Sequence, residues 1–312
     1  MLGVNFNDLH QWTPAQELWD FYDPLVRLDD LDERYTEDVS RLHPHHRAWT
    51  FRTCGDLIQP EELRRGLVGY HGMCEAMDRN VGRVLRGLEQ AGLLEETLVI
   101  YASDHGGSCG AHRMLDYGSM YNDSIRVLFV AAGPGIRSGA AVSTPVSHHD
   151  MYATVCEALG LDLPEQMRGV SLMGLLRGEP NAPRPEFALS EYHGDGFPSG
   201  LFAVRSGPFK YVECVGERPI LFNLKEDPLE MHDLTVERPE DPEVKAAVRR
   251  LRKMLCEVCS PEAVDARAKA DQRALREELT RSGRILDELW RRGYERNAER
   301  LVPRQEFIIH EP

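Results

Sequence analysis

The stretch that most constrains this chain is Thr97-Leu-Val-Ile-Tyr-Ala102, an unbroken β-branched and aromatic run that stops at Ser103-Asp104-His105-Gly106-Gly107. A run of this kind reads as a strand covered on both faces, as in a parallel sheet. Polar residues at the C-terminal end of such a strand are where open α/β sheets place their chemistry. Just upstream, Met73, Met77, Val81, Val84, Leu85 and Leu88 recur at helical spacing. Pro60-Glu61-Glu62 opens that pattern with a proline and acids suited to a first turn, and Gly92 stands where a C-terminal cap belongs. The spacing predicts a helix of about 30 residues running directly into the strand.

A second buried strand is predicted at Arg126-Val-Leu-Phe-Val-Ala131, closed by Gly133-Pro-Gly135. His149-Asp150 then reads as the cap of a helix through Tyr152, Val155, Cys156 and Leu159. Helix, strand, loop, strand and helix in this order is the grammar of an α/β fold with helices on both faces of a mixed sheet. Residues 13–60, rich in Pro, Asp, Arg and Trp, show no sustained period and read as an irregular segment with short helical turns.

Pro180-Asn-Ala-Pro-Arg-Pro185 is linker-like. Beyond it, Phe187–Ser190, Leu201–Arg205, Lys210–Cys214 and Ile220–Asn223, separated by turns such as Ser206-Gly-Pro208, predict a small antiparallel sheet. A helix over Pro242–Cys256 and a charged helical tail over Ala263–Arg281 follow. The expected division is 1–185 for the α/β part, 186–265 for the small sheet with its helix, and 266–312 for the tail.

Charge narrows the partners. Lys plus Arg is 37 against 51 for Asp plus Glu, a formal −14. That argues against a nucleic-acid or anionic-membrane partner, since both want a basic surface. No apolar run reaches transmembrane length. The seven cysteines are odd in number and scattered. They fit reduced thiols, which points to a cytoplasmic protein. The lone Cys256-x-x-Cys259 lacks the further ligands of a zinc site. The charged tail could pack on a second subunit, so a homo-oligomer stays open.

Adjacent Asp104 and His105 can offer a carboxylate oxygen and an imidazole nitrogen to one divalent cation, with the following glycines letting backbone and substrate approach. As a dipeptide this is a common pair, and its surroundings give it weight. Tyr70-His-Gly-Met-Cys-Glu-Ala-Met-Asp78 precedes it on the long helix. Gly118-Ser-Met-Tyr121-Asn-Asp-Ser124, Gly133-Pro-Gly-Ile, Ser147-His-His-Asp150, Arg168-Gly-Val-Ser-Leu172 and Phe209-Lys-Tyr211 follow in order. Leu221-Phe-Asn-Leu-Lys-Glu-Asp-Pro228-Leu-Glu-Met-His-Asp-Leu234 completes the series.

This series resembles the type I sulfatases of the alkaline phosphatase superfamily, over nearly all of residues 1–265. Glu191-Tyr-His193 and the segment from Pro261 to Gln272 are most similar to bacterial sulfatases of the choline-sulfatase-like kind. The resemblance implies a partial alkaline-phosphatase-like sandwich followed by the small antiparallel sheet. It also implies hydrolysis of a small-molecule sulfate ester at a calcium site. By the same resemblance, Asp104 and His105 are later metal ligands, and His10 contacts the sulfate or protonates the leaving group. Tyr117, His112 and His193 are further candidates for the substrate.

Two departures qualify what is implied. The family's nucleophile, a formylglycine made within C/S-x-P/A-x-R, and its early acidic pair have no counterpart in this sequence. Cys109-Gly-Ala-His-Arg113 fits the pattern formally but lies where the family places no nucleophile. Tyr117 occupies the position of a sulfate-binding Lys, and no Lys occurs before Lys210. His112 and Arg113 could supply charge, although they read better as a solvated loop. The expectation is the C-terminal portion of a sulfate-ester hydrolase, binding calcium weakly and turning over negligibly by itself. The alternatives are a non-catalytic sulfatase-like scaffold or binding protein, and a phosphomonoester or phosphonate hydrolase of the same superfamily. Duller readings cover the rest: capping for His148 and His149, and a surface pair for Asp78 with Arg79.

Overall fold

Proline at the first turn starts most of the longer helices, because an amide N–H there has no intrahelical carbonyl to donate to and its loss costs nothing. The computed structural model describes residues 1–6, 12–194 and 197–282. After the short helix α1 (Gln16–Tyr22), α2 (Pro44–Arg52) and α3 (Pro60–Gln90) both begin on proline. In α3 the Gln59 and Glu62 side chains reciprocally cap the start, and Gly92 takes the left-handed conformation just past the end, as its position predicts. Between α1 and α2 the chain makes only short 3₁₀ turns, in keeping with its aperiodic sequence. Arg79 pairs with Glu75, one turn back, and with Glu17 of α1, so the expected pairing with Asp78 is corrected. Helical geometry explains this: neighbours in sequence point to different faces.

Strand β1 (Val99–Ala102) pairs antiparallel with β2 (Phe129–Ala132), Val99 opposite Ala132 and Ala102 opposite Phe129. This corrects the expectation of parallel strands buried on both faces. The connection between them contains a 3₁₀ turn (Ala111–Arg113), the four-residue helix α4 (Asn122–Ile125) and loops, so it returns the chain alongside itself instead of crossing over the sheet. Among the described residues β1 has β2 as its sheet neighbour. β1 is accordingly half-buried, and in the second run Leu128 is 43% and Val130 52% exposed.

Helix α5 (His148–Ala158) starts on a reciprocal cap between Ser147 and Asp150, not on His149. The short α6 (Met173–Arg177) follows and ends on Gly178 in the left-handed conformation. Four strands, β3 (Ala188–Tyr192), β4 (Leu201–Ser206), β5 (Phe209–Cys214) and β6 (Ile220–Asn223), then form an antiparallel meander in sequence order. Ser206 pairs with Phe209 across Gly207-Pro208, and Gly207 supplies the positive φ that a two-residue hairpin needs.

This sheet is buried on both faces. Phe202, Val204, Tyr211 and Leu221 face Val244, Leu251 and Leu255, on the helix α8 (Pro242–Val258) that follows the short α7 (Leu234–Glu237). The alternate residues Leu201, Ala203, Val212, Cys214, Ile220 and Phe222 pack on Leu42 and Trp49 near and in α2, and on Met114, Met120 and Tyr121. The second core therefore joins the small sheet to the loops that follow β1. Helix α9 (Pro261–Arg281) runs without interruption through residues 265 and 266, and its buried Asp265 accepts the Gly200 amide at 2.7 Å. No described helix is long and apolar enough to cross a membrane.

Candidate functional site

Asp104 and His105 sit just past the end of β1, where the chain leaves the strand and turns. Asp104 Oδ1 accepts the His105 amide at 2.9 Å, which holds the carboxylate beside the ring. His105 Nδ1 lies 2.7 Å from the Gly106 carbonyl, which can only accept, so the proton resides on Nδ1. Nε2 then lies 3.7 Å from Asp104 Oδ2. Two ligands of one cation, each at about 2.4 Å, span separations of this order.

The floor of this turn is built by closest approach. A Cβ on Gly106 would fall 2.1 Å from the Asp123 carbonyl, so only glycine fits there. The Gly106 amide donates to the Ser124 carbonyl at 2.7 Å, joining the strand end to α4. Behind it, Arg34 grips both carboxylate oxygens of Asp123 at 2.8 Å and also pairs with Asp32 at 2.6 Å. That guanidinium holds the Asp32 carboxyl below the usual carboxylate range.

Tyr117 stacks on His105 with ring centroids 4.0 Å apart. His148 Nε2 lies 2.9 Å from the Ser103 carbonyl, next to Asp104. The structure thus brings Asp104, His105, Tyr117 and His148 together. The capping expected of His148 is performed by Ser147 and Asp150 instead, which frees its ring to reach the strand end. The signal is present in Ser147-His-His-Asp150, since a reciprocal cap needs only the first and last of those residues.

The other candidates lie elsewhere. His112, expected in a solvated loop, is fully buried: Nδ1 lies 2.7 Å from Glu37 Oε2 and its ring stacks on Tyr121 at 3.7 Å. A ring so enclosed offers no atom to a substrate. Its left-handed backbone (φ 53°) turns it inward, a feature periodicity does not encode. His193 packs edge-on to Phe202 and lies 3.5 Å from Glu191, while its carbonyl accepts from Gln272 of α9. His10 lies outside the described residues. Cys109 is buried and its thiol is pushed up to about 12 by desolvation, so it is not a poised nucleophile. Sequence reasoning also passed over His43, His45 and His46, which are buried beside the small sheet.

A carboxylate and an imidazole begin a divalent-metal site but do not complete one for calcium, which takes about six to eight oxygen ligands. Among the described residues no group of three or more His, Cys, Asp or Glu is arranged to hold a metal. The donors in hand therefore do not fit a calcium ion by themselves.

The chain matches the Sulfatase family model over residues 30–161 and the model for the C-terminal part of N-sulphoglucosamine sulphohydrolase over 110–260. It is 32% identical to human arylsulfatase K over 213 residues, covering 65% of this chain and 40% of that protein. It is 30% identical to the choline-sulfatase of Rhizobium meliloti (strain 1021) over 276 residues, covering 87% of this chain and 53% of that one. The chain therefore spans about half or less of the curated relatives it matches. Among solved structures, a 2-O GAG sulfatase superposes with a TM-score of 0.65 at 23% identity, over 83% of this chain and 59% of its own. The phosphonate monoester hydrolase of Agrobacterium radiobacter does so with a TM-score of 0.62 at 23% identity, over 76% and 52%. The two family patterns overlap over residues 110–161, the first taking in the strand-end pair and the second the small sheet, and the chain belongs to the type I sulfatase family of the alkaline phosphatase superfamily.

Proposed function

We propose that this chain serves the hydrolysis of small-molecule sulfate esters, contributing one side of a divalent-metal and anion-binding site. The observation that carries the reading is the Asp104–His105 pair at the end of β1, held by backbone hydrogen bonds and covered by Tyr117, within the region that matches the Sulfatase pattern. Asp104 supplies negative charge, and His105, with its proton on Nδ1, presents Nε2 on the same side. Both are suited to a cation, for which calcium is the family expectation, once further oxygen ligands join them. The Tyr117 hydroxyl can donate one hydrogen bond to a sulfate oxygen, without the fixed charge of a lysine.

A second reading, a sulfatase-like binding protein without turnover, is favoured by the two-ligand donor set. Titrating sulfate into the purified chain in calcium buffer, while following the His105 ring signals by NMR, tests the first reading. Shifts lost in Asp104→Ala are expected; signals unmoved by sulfate would overturn it. Binding with no hydrolysis of an aryl sulfate would select the second reading, and preference for an aryl phosphate or phosphonate ester would move the activity within the superfamily.

A further inference from the structure

Lys210 lies on β5 with its side chain fully buried, on the sheet face that packs against Met120 and Tyr121. Its Nζ is ion-paired with Glu230, itself buried, and donates to the Met120 carbonyl at 2.6 Å. Glu230 Oε2 accepts the Asn122 amide at 2.6 Å, and Asn122 Oδ1 lies 3.4 Å from Lys210 Nζ. One ion pair thus grips the backbone on both sides of Tyr121, with the cation on a carbonyl and the carboxylate on an amide. Tyr121 itself is held between His112 and His46, with centroids at 3.7 and 4.3 Å.

A buried ion pair is a poor way to gain stability, since apolar residues of similar size often do as well or better. Apolar replacements here would leave the Met120 carbonyl and the Asn122 amide without these partners, and unpaired backbone groups away from water are costly. The two residues beyond Asn122 form the floor of the strand-end turn: Asp123 presses its carbonyl against Gly106, and Ser124 accepts the Gly106 amide.

We infer that the Lys210–Glu230 pair is a positioning clamp, through which the C-terminal sheet fixes the 120–124 turn and with it the placement of Asp104 and His105. The inference deepens the proposed function, because it matters for chemistry only if that pair is the site. The first lysine of the sequence thus acts on the candidate site from behind it, through the backbone.

Hydrogen exchange on the full chain tests the clamp without relying on activity. Replacing both partners, Lys210→Met with Glu230→Leu, avoids stranding a buried charge. Exchange in peptides covering 103–108 and 116–126 is expected to speed up at least about tenfold, while β4–β6 and α8 keep their protection. Glu230→Gln, which keeps the shape and the acceptor but loses the charge, should give a smaller change confined to the same peptides, and serves if the double variant does not fold. Uniform loss of protection across the sheet, in either folded variant, would assign the pair to stability alone and overturn the inference; so would unchanged exchange at 103–108. A clamp result combined with no sulfate binding would retire the proposed function and leave the clamp standing.

Discussion

The rings of His105 and Tyr117 lie with centroids 4.0 Å apart and a 32° tilt, so Tyr117 covers the imidazole of the strand-end pair. An aromatic contact of this kind contributes about 0.5–1.5 kcal/mol beyond the area it buries. Tyr117→Phe should preserve the stack and leave the His105 ring signals in place, whereas Tyr117→Ala should move them. Tyr117→Lys should raise sulfate affinity by about tenfold, through a charge-assisted hydrogen bond. Titrations of the three variants followed by NMR check both effects, and equal sulfate affinity in all three would remove Tyr117 from the anion site.

Three buried histidines set an acid limit on stability. Burial lowers His43 to about 3 and His45 to about 4, and lowers His46 well below the ordinary value. These rings are neutral in the folded protein, while in the unfolded chain they take up protons near pH 6.5. Their contribution is intact above that pH and is lost as pH falls from 6.5 toward 4. The loss approaches about 1.4 kcal/mol per pH unit for each ring. Urea unfolding at a series of pH values should show this slope, and His45→Gln should flatten it.

Gly106 has no room for a side chain, since a Cβ would meet the Asp123 carbonyl at 2.1 Å. Gly106→Ala must separate the strand end from α4 and should cost about 1–3 kcal/mol, as overpacking does. Gly107→Ala, where a Cβ would touch only Cys109 Sγ at 3.9 Å, is the matched control with little expected effect. Thermal unfolding of the two variants separates them.

Leu251 anchors α8 on the small sheet and is fully buried. Leu251→Ala should destabilise the protein by about 2–5 kcal/mol through lost burial and the cavity left behind. Because the other face of the sheet carries Lys210, this variant should also loosen the 116–126 segment, which hydrogen exchange would detect.

Local sequence rules determined a good part of this protein. The extent of α3 follows from Pro60, the Gln59–Glu62 cap and Gly92, and the four-strand meander follows from apolar runs punctuated by turns such as Gly207-Pro208. The apolar run that stops at Ser103 placed Asp104 and His105 at a strand end, where the structure has them. The antiparallel pairing of β1 with β2 was not legible, because a continuous apolar run gives no sign of strand direction or of what lies on either face. Nor was the inward turn of His112, which depends on a left-handed backbone, or the reach of His148 to Ser103 across 45 residues of sequence. Lys210 had no readable role until the sheet carried it against Met120 and Glu230. Periodicity, caps and turns act over a few residues and are written in the sequence. The surroundings of the strand-end pair are decided by contacts between residues far apart in the chain, and only the tertiary structure brings those together.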